Sequence, residues 1–504
     1  MNRRDFLNSA RAAAALGALT LVRAGTAAPL DSWHTAFHEA LPGKPWLTGY
    51  RTMAREQLQA KATWHGKAPG LRGTLYRNGP AGHEVGGFRY RHWFDGDGMV
   101  QRFAVSEDGV AHLGRFVRTH KRVAESGAGR ALYPTFGSRV PNANPVTKAD
   151  VVNTANISTL IHNGELYALW EAGSPHRLDP ATLETLSVHS YSPQTQGLPF
   201  SAHPRVEADG TLWNFGYVSA AKRLVLWHID AAGTLVKAAA LPIDPITMIH
   251  DFVVTRRHLV FLIPPLHFEP GASSATFLQA HRWHPEHPTR VLVVDKNDFS
   301  RTTWLELPAQ WVFHFGNAWE DKDGFIRFDG ARAPDPSIMF GRFRDIMRGQ
   351  DNGAGAPARS FNYVLHPATG YATEEPLMAA HEAGEFPTID PRVSGRQYRH
   401  VALLTTQPGQ ETEHGHFDTV MLLDVTSGHS VRYTYPAHEI AEEHLIVPGD
   451  GGRFWLVGTT LAYREEKTRL NVFDGKRLAD GPVAIATLPY PLPLGLHGKW
   501  QGVG

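Results

Sequence analysis

The sequence predicts an all-β fold, a β-propeller built from blades of about four strands. Three observations predict it: short apolar runs, turn residues between those runs, and units of roughly 50 residues that recur along the chain. The runs lie at residues 165–170, 211–215, 224–228, 258–263, 290–294, 400–405, 420–424 and 454–457. Helical periodicity is scarce after a helical lead at residues 33–55. A chain of 504 residues exceeds what a two-sheet sandwich needs, so the spacing favours a propeller.

Composition excludes several classes of function. The net charge is +1 with 20% charged residues, so nothing indicates a nucleic acid or another polyanionic partner. Cysteine is absent, which excludes disulfides, thiolate zinc sites, iron–sulfur clusters and a cysteine nucleophile. We expect the chain to bury a large core.

The first 28 residues predict a twin-arginine export signal. Arg3 and Arg4 precede an Ala-rich apolar stretch too short to span a bilayer, and small residues follow up to Ala28. The alternative is an amphipathic helix of the folded domain. A signal at 1–28 leaves 29–504 as a single domain. We expect this domain to fold and take up its metal in the cytoplasm, and the twin-arginine machinery then to export it to the periplasm. No later stretch has 18 uncharged apolar residues, so we expect no membrane span.

The stretch HWFDGDGMV first suggests a calcium loop. An EF-hand loop counted from its first aspartate needs Gly and Glu where this chain has Val100 and Ser106, so calcium is excluded. Strand-like patterns at 88–94 and 99–105 flank the acids. We therefore predict a hairpin loop at 95–98, with glycines that adopt positive φ.

The chain has 28 histidines, so a histidine by itself is a weak signal of a site. Two local clusters, HRWHPEH and HGHF, are read as solvated, because a proline breaks the helix that the first cluster would need and the second is a polar loop. Their histidines are His281, His284, His287, His414 and His416.

Four other histidines lie within apolar strands or at their ends, each in a different unit of the chain. They are His203, His250, His314 and His497. Each could be a core histidine satisfied by a hydrogen bond. However, inner strands of propeller blades converge on one axis, so four units can contribute one imidazole each. An all-nitrogen site of this kind suits a borderline divalent transition metal.

Six segments, in this order, resemble the carotenoid oxygenase family: LRGTLYRNGP, HWFDGDGMV, MIHDFVVT, FHFGNAWE, EFPTIDPR and GLHGKW. The family includes carotenoid, apocarotenoid and stilbene cleavage dioxygenases and retinoid isomerases. The resemblance spans residues 71–500. It implies a seven-bladed β-propeller capped by loops and short helices, with a non-haem Fe(II) on the propeller axis. The implied iron ligands are His203, His250, His314 and His497.

The resemblance also implies three glutamates that accept a proton from ligand imidazoles: Glu171, Glu385 and Glu443. Glu443 is preferred to Glu442 because it keeps the family's spacing to the following Val-Pro pair. A carboxylate on the far ring nitrogen fixes the imidazole tautomer and strengthens donation to a metal. Ile157 falls where many members place a small β-branched residue near the open site, so it is expected to affect oxygen or substrate access.

The implied reaction is cleavage of a conjugated C=C bond by O2 into two carbonyl products. Stilbene-cleaving members place a lysine where this chain has Trp170, so a carotenoid or apocarotenoid is favoured over a stilbene. Such a lipophile implies peripheral contact with a membrane. Three alternatives stay open: a stilbene-cleaving dioxygenase, a retinoid-type isomerase that uses the iron as a Lewis acid, and a metal-free periplasmic binding propeller.

Overall fold

The structure is a computed structural model, and it describes residues 30–271, 276–353, 355–407, 409 and 412–503. The predicted export signal at 1–28 lies outside these residues. No helix in the described ranges is long and apolar enough to cross a membrane.

The N-terminal part carries six strands and the first two helices. The helices are α1 (Ser32–Ala40) and α2 (His120–Ala128). The strands are β1 (Gln57–Gly66), β2 (Gly73–Gly82), β3 (Glu84–Val85), β4 (Phe88–Arg89), β5 (Asp97–Val105) and β6 (Gly109–Phe116). Helix α1 begins where it does because the Asp31 carboxylate accepts the Trp33 and His34 backbone N–H groups. The predicted helical lead is therefore shorter than 33–55, and 3₁₀ turns continue it to Tyr50.

Five separate four-stranded antiparallel sheets follow within the described ranges. The first is β7 (Ser158–His162), β8 (Glu165–Leu169), β9 (His176–Leu178) and β10 (Thr185–Val188); the second is β11 (Arg205–Val206), β12 (Leu212–Val218), β13 (Arg223–Ile229) and β14 (Leu235–Pro242). The third is β15 (Val253–Val254), β16 (His258–Ile263), β19 (Thr289–Asp295) and β20 (Thr302–Leu307), with the added hairpin β17 (Leu266–Phe268) and β18 (His281–Trp283). The fourth is β21 (Trp311–Glu320), β22 (Ile326–Ala333), β23 (Arg359–His366) and β24 (Tyr371–Pro376); the fifth is β25 (Glu385–Thr388), β26 (His400–Thr405), β27 (Thr419–Asp424) and β28 (Ser430–Thr434). Two short helices, α3 (Ser337–Phe340) and α4 (Arg342–Asp345), interrupt the fourth sheet.

The remaining strands of the ring form one nine-stranded sheet instead of two blades. Its last members are β29 (Glu439–Pro448), β30 (Phe454–Ala462), β31 (Lys467–Asp474), β32 (Ala484–Thr487) and β33 (Gly498–Gly502), and the order is β29-β30-β31-β32-β1-β6-β5-β2-β33. Strand β1 joins the halves because residues 57–63 pair with β6 while residues 64–66 pair with β32. The expectation of seven separate blades is thus wrong for the described residues, which form five separate blades and this fused sheet.

The sheets meet through their first strands, which positions the site. Strand β15 contacts β21, β21 contacts β25, β25 contacts β29, β29 contacts β33, and β33 contacts β7. Apolar side chains fill the space between neighbouring sheets; Val260 and Val293 of the third sheet, for example, share a buried cluster with Phe328 and Tyr363 of the fourth. The predicted all-β, propeller-like fold with few helices is confirmed.

The HWFDGDGMV stretch is not the predicted hairpin. Strand β4 pairs with β3, whereas β5 pairs with β2 and β6, so the stretch connects two different sheets. Its glycines are required by close approach: a Cβ on Gly96 would lie 2.6 Å from the His83 Nδ1, and one on Gly98 would lie 2.2 Å from the Ala155 carbonyl oxygen. The buried Asp95 anchors another loop, because it accepts the Gly137 N–H and the Ser138 hydroxyl.

Candidate metal centre

Four histidines from four different sheets converge on one point. His203 and His250 lie just before β11 and β15, His314 lies within β21, and His497 directly precedes β33. The Nε2 atoms of His203 and His250 are 3.0 Å apart, and those of His314 and His497 are also 3.0 Å apart. The His203 ring centroid lies 5.2 Å from that of His314 and 4.9 Å from that of His497. We call this group the four-histidine centre.

Carboxylates hold the outer ring nitrogens of three of these histidines. The Nδ1 atom of His250 lies 2.8 Å from the Glu171 carboxylate, that of His314 lies 2.6 Å from Glu385, and that of His497 lies 2.8 Å from Glu443. With Nδ1–H donating outward, each Nε2 keeps its lone pair for the centre. Among the described residues, the Nδ1 of His203 has no such partner.

Each carboxylate is itself held in place. The Tyr217 hydroxyl donates to Glu171 at 2.7 Å, the Phe386 N–H donates to Glu385 at 2.7 Å, and the Gly498 N–H donates to Glu443 at 2.7 Å. The neighbouring Glu442 points elsewhere and forms a buried ion pair with Arg77. The geometry therefore places Glu443, and not Glu442, against a histidine of the centre.

Burial and charge set the protonation of the centre. Burial, aided by the neighbouring histidines, holds the pKa of His203 well below its usual value. Burial also lowers the pKa of His497, although Glu443 opposes the shift. For His314, burial acts to lower the pKa, but the Glu385 carboxylate outweighs it and the pKa is raised. Four inward nitrogens without a carboxylate among them form a donor set that fits a borderline divalent transition metal.

A large apolar cavity opens onto the centre. Its volume is about 770 Å³, and His250, His314 and His497 lie in its wall. Aromatic rings form much of the rest: Trp93, Phe94, Phe136, Phe313, Phe343 and Phe386. Ile157 and Trp170, both singled out in the sequence, also line it, and the Ile157 carbonyl accepts the His497 N–H at 3.2 Å.

The HGHF histidines are not solvated, contrary to the expectation. His414 is fully buried, and burial lowers its pKa to about 4. His416 lines the cavity, where its Nε2 lies 2.8 Å from the Tyr50 hydroxyl and its Nδ1 accepts from Arg342 at 2.7 Å. The sequence carried no signal for these contacts, because Tyr50 and Arg342 come from distant parts of the chain.

The HRWHPEH cluster is only partly solvated. His287 is exposed as expected, but His281 is buried against Phe277, with ring centroids 4.4 Å apart. His284 is partly buried, and His267 from β17 joins it.

Comparison with known proteins agrees with this architecture. Residues 50–502 match the family described as "Retinal pigment epithelial membrane protein". The chain is 30% identical over 485 residues to apocarotenoid-15,15'-oxygenase of Synechocystis sp., covering 90% of this chain and 96% of that protein. It is 27% identical over 467 residues to lignostilbene-alpha,beta-dioxygenase isozyme III of Sphingomonas paucimobilis, covering 85% of this chain and 91% of that protein.

A solved structure shares the fold over most of both chains. The crystal structure of cobalt-substituted Synechocystis ACO, an apocarotenoid oxygenase, superimposes with a TM-score of 0.81 at 26% identity, covering 91% of this chain and 98% of that one. The cobalt substitution indicates that this relative holds a transition metal. With the family match spanning nearly all described residues, the chain belongs to the retinal pigment epithelial membrane protein family, the family of the carotenoid oxygenases.

Proposed function

We propose that this protein is a non-haem Fe(II) dioxygenase that cleaves a conjugated C=C bond of a carotenoid or apocarotenoid into two carbonyl products. The observation that carries the proposal is the convergence of four imidazole Nε2 atoms, three of them backed by carboxylates, at the wall of an apolar cavity. The relatives named for apocarotenoid and lignostilbene oxidation support the reaction class.

His203, His250, His314 and His497 would hold the iron, which when bound supplies the activation of O2. The residues of the chain prepare that site. Glu171, Glu385 and Glu443 keep the Nδ1 protons of their histidines in place, so the Nε2 lone pairs stay directed inward. Four imidazoles bind several divalent metals, and copper more tightly than ferrous iron, so loading in the cytoplasm would favour iron.

The cavity favours a polyene. Its aromatic walls exclude water and hold a long flat substrate so that one double bond meets the oxygen. Trp170 adds a flat apolar surface beside Glu171, and an indole offers no cationic partner for a phenolate. Ile157 narrows the same wall and would influence access of oxygen or substrate.

The finer architecture and location are also proposals. The metal would lie on the propeller axis, where the first strands of the sheets meet. Residues 1–28 would direct twin-arginine export to the periplasm, leaving 29–504 as one domain. Val146 lines the cavity and is 44% exposed, so apolar surface of the cavity wall is accessible from outside. The protein would use such surface to draw a lipophile from a membrane.

The test is a direct competition between an apocarotenoid aldehyde and a 4-hydroxystilbene under air, with products identified by mass. We expect faster cleavage of the apocarotenoid into carbonyl products. Faster stilbene cleavage would place the protein in the stilbene branch, and an isomerised substrate without oxygen uptake would indicate the isomerase. For protein folded under iron-replete conditions, the donor set predicts one iron per chain. An iron content below about a tenth of an equivalent per chain would instead favour a metal-free binding module.

Export is tested separately. Arg3→Lys with Arg4→Lys should leave the full-length protein uncleaved in the cytoplasm, because the arginine pair is what the export machinery reads. Cell fractionation and the mass of the mature chain report the outcome. Normal export of this double variant would show that residues 1–28 are not a twin-arginine signal.

A further inference from the structure

A second group of histidines lies outside the four-histidine centre, on the hairpin added to the third sheet. His267 belongs to β17, and His284 and His287 follow β18. Their ring centroids lie 4.7 Å (His267 and His284), 5.3 Å (His267 and His287) and 5.3 Å (His284 and His287) apart. One nitrogen of each ring lies within 4.8 Å of the others. We call these three residues the outer histidine cluster.

Two carboxylates complete the surroundings of the cluster. The His284 Nε2 lies 2.8 Å from the Glu269 carboxylate, and its Nδ1 lies 3.0 Å from the Glu286 carboxylate. Among the described residues, the rings of His267 and His287 make no hydrogen bond. Two imidazoles are therefore free to donate a lone pair, and the nearby carboxylates can balance the charge of a dication.

The backbone already fixes the spacing of the group. His284 donates its N–H to the Pro265 carbonyl at 2.9 Å, and the His287 N–H donates to the His284 carbonyl at 3.0 Å. Strands β17 and β18 pair through His267 and Arg282. These bonds thus fix the backbone that carries the three rings, and the exposed His287 side chain keeps the rotamer freedom that ligation needs.

We propose that His267, His284 and His287, with Glu269 as a fourth ligand, form a second site for a borderline divalent cation of the zinc type. Zinc takes imidazole nitrogen and carboxylate oxygen in a tetrahedral arrangement at about 2.0–2.2 Å, which separates the ligand atoms by roughly 3.4 Å. The His284 Nε2 and the Glu269 carboxylate lie 2.8 Å apart, so their hydrogen bond must open slightly, and the histidine nitrogens, now within 4.8 Å of one another, must draw together. Glu286 remains on the His284 Nδ1, as outer carboxylates do in zinc sites.

Binding there would clamp part of the cavity wall. Phe268 on β17 and Phe277 between the two strands both line the cavity, and their ring centroids lie 6.3 Å apart. The cation would tie β17 to the segment after β18, so the hairpin that carries these rings would lose freedom. We expect backbone amide exchange in β17 and β18 to slow when zinc is added.

The experiment titrates Zn²⁺ into the iron-loaded protein, residues 29–504, in competition with a chromophoric zinc chelator. We expect the wild type to bind one zinc per chain in addition to iron. The variant His284→Ala/His287→Ala should bind zinc at least about 100-fold more weakly, because it lacks two direct ligands, and the loss of a residue that only supports a ligand already costs about 10- to 100-fold. The control is His65→Ala/His429→Ala, which removes two exposed histidines elsewhere and should bind zinc as the wild type does.

Two outcomes would overturn the proposal: no zinc bound by the wild type beyond the iron, or equal zinc affinity in the His284→Ala/His287→Ala variant. Circular dichroism of that variant checks its folding. As an independent readout, Co²⁺ added to the iron-loaded wild type should give the visible bands of a low-coordinate site. Retention of those bands in the double variant would also contradict the assignment.

Discussion

The four-histidine centre and the outer histidine cluster use the same side chain in opposite surroundings. In the centre, each supporting carboxylate contacts an Nδ1 atom, and the Nε2 atoms face one another. In the outer cluster, His284 has a carboxylate at both nitrogens, while His267 and His287 have none among the residues that the structure describes. One carboxylate on the far nitrogen prepares a neutral metal ligand, whereas a carboxylate at each nitrogen stabilises the imidazolium.

The pKa directions differ between His284 and most of the centre. Hydrogen bonds to Glu286 and Glu269 raise the pKa of His284, whereas burial holds the pKa of His203 well below its usual value and lowers that of His497. His314 is the exception in the centre, because Glu385 and the carboxylates around it raise its pKa. Because a raised pKa favours the protonated ring, a cation competes with a proton more strongly at His284 than at His203. We therefore expect the centre to bind its metal more tightly than the outer cluster binds zinc.

The largest expected effect comes from removing one histidine of the centre. His314→Ala removes an inward nitrogen and leaves Glu385 without its partner, so iron retention and activity should be abolished. His287→Ala is the matched control in the outer cluster and should retain both. Iron content and carbonyl formation measure the result, and full activity in His314→Ala would refute the four-ligand assignment.

A smaller effect should follow when a supporting carboxylate is neutralised. Glu171→Gln keeps the size of the side chain but weakens its hold on the His250 Nδ1–H, so iron affinity and activity should fall by about 10- to 100-fold. Glu269→Gln, next to His284, is the control and should leave iron unchanged. Equal iron affinity in the two variants would show that Glu171 supports iron binding no more than Glu269 does.

The smallest effect concerns buried histidines that serve neither site. His112 accepts from the Tyr490 hydroxyl and donates to Gln101 as a neutral ring, and burial lowers its pKa from 6.5 to about 3. Between these values the unfolded chain binds more protons than the folded one, so the free energy of unfolding falls as pH drops from 6.5 toward 3 and is unaffected by His112 above that window.

His112→Gln should remove this contribution. Between pH 7 and pH 5 the wild type should lose about 2 kcal/mol more than the variant in urea unfolding. An exposed histidine such as His429 offers the control, since His429→Gln should follow the wild type. Parallel pH curves for wild type and His112→Gln would show that His112 is not held neutral.

The sequence predicted the repeating units and the inward histidines because both depend on local patterns. Short apolar runs between turns indicate strands, and His250 and His314 stand inside such runs. The nine-stranded sheet could not be foreseen, because it depends on β1 changing its pairing partner at residue 64, which no local sequence pattern indicates. The hairpin prediction for HWFDGDGMV failed because close packing against His83 and Ala155, not turn conformation, requires its glycines.

Contacts between distant segments explain the other errors. His416 was expected on the surface, yet Tyr50 and Arg342 enclose it, and they lie 366 and 74 residues away along the chain. The outer histidine cluster was seen only in part: His284 and His287 were read as solvated, and His267 was missed because a hairpin brings β17 beside them. Glu443 is the contrasting case, because the family resemblance, through the spacing to the following Val-Pro pair, indicated the glutamate that lies against His497 in the structure.

The most direct test of the account measures activity while Fe(II) is returned to iron-free protein. Oxygen-dependent formation of two carbonyl products should rise linearly and stop at one iron per chain, with the same endpoint in the wild type and in His284→Ala/His287→Ala. Activity without iron, or an endpoint that shifts when the outer histidine cluster is removed, would contradict the assignment of the chemistry to the four-histidine centre.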